Sequence, residues 1–140
     1  MPDASDNQRP RAMLVVQNPS DATMMETCCA DNGIETYTQS DPRSALEACR
    51  CEPPDLAVVQ WDLRAMSGVE FITELLKISW TTATILVTDQ DEETVHEKAE
   101  GLGILGRIID FRDMVGLRKL LDIHKGIRNQ AAPNTTWDPA

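Results

Sequence analysis

Apolar residues in this chain come in short blocks, and amphipathic stretches separate them. Residues 13–16, 34–38, 56–59, 84–88 and 107–111 read as strands. The block at 56–59, Leu-Ala-Val-Val, follows Pro53-Pro54 and is apolar at every position, which suits a central strand buried on both faces. Between the blocks, apolar residues return every three or four positions, the period of a helix. Ala22, Met25, Cys28 and Cys29 mark the inner face of a helix over 21–31, which Ser20 can cap and Asn32-Gly33 stops. Ala45, Leu46 and Cys49 do the same for a second helix, opened by Pro42 after Ser40 or Asp41. Phe71, Ile72, Leu75 and Leu76 point a third helix, 69–79, inward. A fourth, 92–102, is polar apart from Val95, Ala99 and Leu102 and is expected to be exposed. The last, 114–128, carries Met114, Leu117, Leu120, Leu121 and Ile127 on its apolar side. Five strands alternating with five helices predict an α/β fold of βαβ units, with a parallel sheet and helices on both faces.

Length and composition narrow this picture. The 140 residues suggest one domain, long enough to bury a core without staples. Residues 1–11 read as a disordered tail, 12–128 as the folded domain and 129–140, with Pro133, Trp137 and Pro139, as a tail or linker. A formal charge of −10 argues against direct nucleic-acid binding and favours a partner protein. No apolar run approaches the ~18 residues of a membrane helix, and residues 1–11 lack the apolar core of a signal peptide, so the expected location is the cytoplasm. Cys28-Cys29 and Cys49-x-Cys51 do not match zinc spacing. Reduced and mostly buried thiols are expected.

The stretch from Asp55 to Gly68 carries the most information. In open α/β sheets, ligand chemistry sits where parallel strands end, and the residue that stands there is Gln60, an uncharged amide. Around it, Leu14-Val15-Val16 precedes a polar pair, Pro54-Asp55-Leu56 leads into the central strand, Met66-Ser67-Gly68 follows that strand, Thr88 closes the fourth strand and Gly103 precedes the fifth. With this order and these lengths, residues 12–128 resemble the receiver domain of bacterial two-component response regulators, the CheY-like family. The resemblance implies a flavodoxin-like, three-layer α/β/α sandwich with strand order 2-1-3-4-5.

Receivers use an aspartate at the end of strand three as phospho-acceptor and an acidic pair after strand one to hold Mg²⁺ with it. A Thr or Ser after strand four and a Lys after strand five contact the phosphoryl oxygens. Carried over by position, the acceptor falls on Gln60, the acidic pair on Gln17 and Asn18, the hydroxyl on Thr88 and the lysine on Asp110. The loop proline falls on Arg64, and the switch aromatic of strand five on Arg107. Only Thr88 keeps the family's residue type. Mg²⁺ favours carboxylate oxygens, so its binding is expected to be weak or absent, and no metal site is read. The nucleophile of an acyl-phosphate mechanism is missing, and an acid replaces the cation that would stabilise transferred charge.

The implied function is that of an atypical receiver without the phospho-acceptor aspartate. It would act in two-component-type signal transduction as a phosphorylation-independent interaction or dimerisation module, not as an enzyme. The family's usual interaction face, helix four, strand five and helix five, would present His96, Arg107, Arg112, Arg118 and Lys119. The alternative is a small-molecule or ion sensor that uses the strand-end pocket near Gln17, Asn18, Gln60 and Thr88. Separately, Asp62 and Asp110 could recruit a cation beside Arg64 or Arg107, against the plainer expectation that Asp62 is solvated loop and Asp110 ends an edge strand. Trp61 is expected to be half-exposed, and His96 and His124 to be surface residues.

Overall fold

The computed structural model describes residues 9–131. The parts of the expected tails at 1–8 and 132–140 lie outside the described residues. Five strands alternate with helices: β1 Arg11–Val15, a 3-10 turn Pro19–Ala22, α1 Thr23–Asp31, β2 Glu35–Gln39, α2 Pro42–Cys51, β3 Leu56–Gln60, α3 Gly68–Ile78, β4 Ala83–Val87, α4 Glu92–Lys98, β5 Gly106–Ile108 and α5 Met114–Ala131. The sheet is parallel, in the order β2-β1-β3-β4-β5.

The central strands are buried on both faces, and their period of two divides the core. Leu14, Leu56, Val58 and Ile85 face one layer, where Met25 of α1 and Leu117 and Leu121 of α5 meet them. Met13, Val15, Ala57, Val59 and Leu86 face the other, against Phe71, Ile72 and Leu75 of α3 and Val95 of α4. Each fully buried Leu, Ile or Phe contributes about 1.5–3 kcal/mol.

Several element ends differ from the sequence pattern. β1 begins at Arg11, because the Arg11 amide donates to the Asp55 carboxylate at 2.9 Å and its guanidinium lies over the Tyr37 ring at 4.7 Å. Arg11, expected in the tail, is thus part of the first strand. The first helix opens as a 3-10 turn with Pro19 in its first turn. α5 continues past 128 to Ala131. β5 is only three residues, because residues 109–113 turn. α4 stops at Lys98, well short of 102, since Gly101 and Gly103 take left-handed φ of 84° and 64°. Ile127, assigned to an apolar inner side, is 50% exposed.

α3 starts from a capping box. The Ser67 hydroxyl accepts from the Glu70 amide at 3.1 Å, and the Glu70 carboxylate accepts from the Ser67 amide at 3.0 Å. Just inside it, Gly68 lies so close to the end of β3 that a Cβ there would sit 2.5 Å from the Gln60 carbonyl oxygen. The loop after β3 is therefore folded back tightly onto its own strand.

Candidate functional site

The carboxyl ends of β1, β3 and β4 converge on Gln60, the last residue of β3, paired with Val87 of β4. Its half-buried side chain is held at both ends. Oε1 accepts from the Gln17 backbone N–H at 2.7 Å, and Nε2 donates to the Asp62 carbonyl at 2.9 Å. Gln17 in turn accepts with its own Oε1 from the Arg64 backbone N–H at 2.6 Å. Two amides thus stitch the loop after β1 to the loop after β3. A carboxylate at this position could not do the same, since it has no N–H for the Asp62 carbonyl.

The other positions at this edge are engaged locally. Asn18 caps the 3-10 turn, its Oδ1 accepting from the Ser20 hydroxyl at 3.1 Å and the Ser20 amide at 3.4 Å. Thr88 is buried, 7% exposed, and its hydroxyl accepts from the Gln90 amide at 3.1 Å, a local turn bond. Asp110 is exposed and accepts from the Arg112 amide at 2.8 Å. Asp62 and Arg64 are exposed and Trp61 is half-buried. Among the described residues, neither Asp62 nor Asp110 makes an ion pair with Arg64 or Arg107, and no three His, Cys, Asp or Glu side chains come together in a metal-holding group.

Arg107, in the middle of β5, reaches across to β4. Its guanidinium donates to the Thr88 carbonyl at 3.3 Å. It also adds a favourable charge beside Asp91, whose carboxyl lies below the ordinary range mainly because the Thr94 amide donates to it at 2.7 Å. Arg107 and His96 border a cavity of about 970 Å³ between α4, β5 and α5. Arg118, on the same helix as Leu120, instead lines a separate cavity of about 230 Å³ with Met24, Cys28 and Met114 on the α1 side. A third, of about 510 Å³, lies between α2 and α3 around Leu46, Met66 and Val69. The basic residues named for one face are thus divided between two grooves, with Arg112 and Lys119 exposed outside the linings of both. None of the three cavities is lined by Gln17, Asn18, Gln60 or Thr88.

His96 is exposed, but His124 is not a surface residue. It is 5% exposed on the core side of α5, and its Nδ1 has no hydrogen-bond partner. Burial lowers its pKa, and Arg128 lowers it further. The signal was present in the sequence, because 124 continues the stripe of Leu117 and Leu121 at helical spacing. Cys28, Cys29 and Cys49 are buried and Cys51 is exposed, all as free thiols. Burial pushes Cys29 up to about 12 and Cys49 up to about 11, so both stay protonated at neutral pH. Within the described residues no helix is long and apolar enough to cross a membrane.

Comparison with known proteins returns the same architecture. Residues 13–121 match the response regulator receiver domain. A curated relative, "Probable transcriptional regulatory protein SgaR" of Hyphomicrobium methylovorum, is 25% identical over 116 residues. That match takes in 81% of this chain and 55% of the relative, so the chain spans about half of its length. The chemotaxis protein CheY4 of Vibrio cholerae superposes with a TM-score of 0.73 at 21% identity, covering 81% of this chain and 97% of that one. A sensor protein from Polaromonas sp. JS666 superposes with a TM-score of 0.74 at 24% identity, covering 88% and 99%. Matched from its first strand into its last helix, and folded with the strand order that the resemblance implied, the chain belongs to the response regulator receiver domain family of two-component signalling.

Proposed function

We infer that this receiver works without phosphorylation, as a protein-interaction module in two-component signalling. The observation that carries the reading is the pair of amide bridges, Gln60 to the Gln17 amide and Gln17 to the Arg64 amide. They occupy the position where the family's acceptor and metal ligands are expected. They also leave the loops after β1 and β3 already joined, with no phosphoryl group required. Neutral amides supply none of the charge that a hard cation seeks, and Asp110 supplies an acid where a phosphoryl oxygen would want a cation. Receiver domains are generally non-enzymatic signalling modules, and this chain is read as one. Its output surface is the α4–β5–α5 face, which carries His96 and Arg107 beside its groove.

The test is ¹⁵N-edited NMR of the chain titrated with Mg²⁺ and then beryllofluoride, a phosphoryl mimic. Unmoved signals at Gln60, Thr88 and Asp110 are expected. Saturable shifts there would sink the reading and mean that another acid, such as Asp62, has taken the lost role.

A further inference from the structure

Independently of that reading, we propose that the β2 edge of the sheet pairs with the β2 edge of a second copy, joining two chains into one continuous sheet about a two-fold axis. β2 is the outer strand and is paired with β1 alone. The Glu35 amide donates to the Pro10 carbonyl at 2.9 Å, and the Gln39 carbonyl accepts from the Val16 amide at 3.1 Å. Residues 35, 37 and 39 therefore turn their amides and carbonyls to β1. By alternation, Thr36 and Thr38 turn theirs outward, and among the described residues no backbone group outside the ladder takes them up. β2 has few of the features that protect such an edge. Its five residues run in unbroken register with β1, without Pro, Gly or Lys, and Glu35 is their one charge. Residues 36–39 are only half-buried. The opposite edge is blunted. β5 has three residues, opens on Gly106 and turns away at Ile109, whose amide donates to Asp113 at 3.0 Å.

The sequence of the strand identifies the occupant. Two-fold symmetry sets two β2 strands antiparallel. With the axis at Tyr37, Thr36 faces Thr38 of the copy and Thr38 faces Thr36 of the copy. These are the outward-turned residues, so each pair exchanges both of its N–H···O=C bonds. Threonine opposite threonine is a favourable cross-strand pair, and so is the aromatic pair of Tyr37 with Tyr37 of the copy. Tyr37 is already fixed in place, its ring under the Arg11 guanidinium at 4.7 Å. Glu35 falls opposite neutral Gln39, so no like charges face each other across the strands. The pairing consumes both open edges and leaves only the blunted β5 edges, so association closes at the dimer. An extended segment of another protein would require no such palindrome.

Sedimentation of the full 140-residue chain from about 10 μM to about 1 mM, the span of weak interfaces, should show a monomer passing into a dimer and nothing larger. Hydrogen exchange at the Thr36 and Thr38 amides should slow as concentration rises, while the Tyr37 and Gln39 amides stay protected throughout. Thr36→Pro removes an outward N–H and no bond to β1, and residue 35 is already extended. The variant should keep the fold and weaken dimerisation about tenfold or more. Should it not fold, charge decides the matter. Gln39→Glu sets acid against Glu35 of the copy at both ends of the pairing and should weaken the dimer roughly threefold to tenfold, and adding Glu35→Lys should restore it. A chain that stays monomeric across that range overturns the proposal. So does a dimer that Gln39→Glu or a folded Thr36→Pro leaves as strong, or one whose concentration-dependent shifts map to helices α1, α4 or α5 instead of β2. None of these measurements contains Mg²⁺ or beryllofluoride, so the dimer and the phosphorylation-independent reading stand or fall separately.

Discussion

Gln60 Oε1 accepts a 2.7 Å hydrogen bond from the Gln17 backbone N–H. One amide thereby ties the end of the central strand to the end of its neighbour, across the edge where receivers do their chemistry. The bond gives Gln60 a structural task that its carboxylate counterpart would perform differently.

Restoring the family's residue should therefore not restore its chemistry. Gln60→Asp shortens the side chain by one methylene and removes the donor to the Asp62 carbonyl. We expect a loss of about 1–2 kcal/mol in urea unfolding and no phosphoryl adduct by mass spectrometry after incubation with acetyl phosphate and Mg²⁺. Gln17, Asn18 and Asp110 would still supply neither a metal cage nor a cation. A stable acyl-phosphate on the introduced carboxylate would show that the site needs only its nucleophile.

The tight loop after β3 makes a second prediction. At Gly68 an added Cβ would meet the Gln60 carbonyl oxygen at 2.5 Å and the Trp61 Cα at 3.0 Å, both backbone atoms that cannot swing away. Gly68→Ala should cost about 1–3 kcal/mol, read as a lower Tm. It should also shift the amide signals of Gln60 and Arg64. An unchanged Tm would mean that the loop yields freely.

Acid should weaken the fold through His124. Its pKa is lowered in the native state, by burial and then by Arg128, while the unfolded chain keeps a value near 6.5. Below that value the unfolded state binds the proton and the native state resists it, so stability falls as pH drops from about 6.5 toward the lower native pKa. Above it, both states are neutral and the group adds no slope. Urea midpoints at about pH 7.5 and 5.5 should differ, and His124→Leu should flatten that part of the difference. An identical slope in the variant would assign the acid sensitivity to carboxylates instead.

Thiol reactivity should follow burial. In native buffer, a disulfide-exchange reagent should titrate Cys51 at once, because it is exposed. Cys28, Cys29 and Cys49 should react only on unfolding, being buried and, for Cys29 and Cys49, held protonated. Fast release of more than one equivalent from the native chain would contradict the packing of α1 and α2.

The alternation of apolar blocks with helical stripes was enough to read the five strands, the five helices and their parallel arrangement. Burial of a strand on both faces, or of a helix on one, leaves a period that the chain displays without folding. The identities at the strand ends, Gln17, Asn18, Gln60, Thr88 and Asp110, were likewise plain, as was the loss of charge among them. What the sequence could not disclose depends on neighbours distant along the chain. The bond from Gln60 to the Gln17 amide joins residues 43 positions apart, and that from the Arg64 amide to Gln17 spans 47. Their geometry exists only once β1 and β3 pair. The place of His124 on the stripe of Leu117 and Leu121 could have been read from its spacing, but how far that stripe is covered at 124 was decided by packing, which leaves the residue 5% exposed. Arg118 lines a different groove from His96 and Arg107 because a helix turns about 100° per residue, so Arg118 and Leu120 leave α5 in different directions. Only the placement of α1 on one flank and β5 on the other determines which groove receives Arg118 and which receives Leu120.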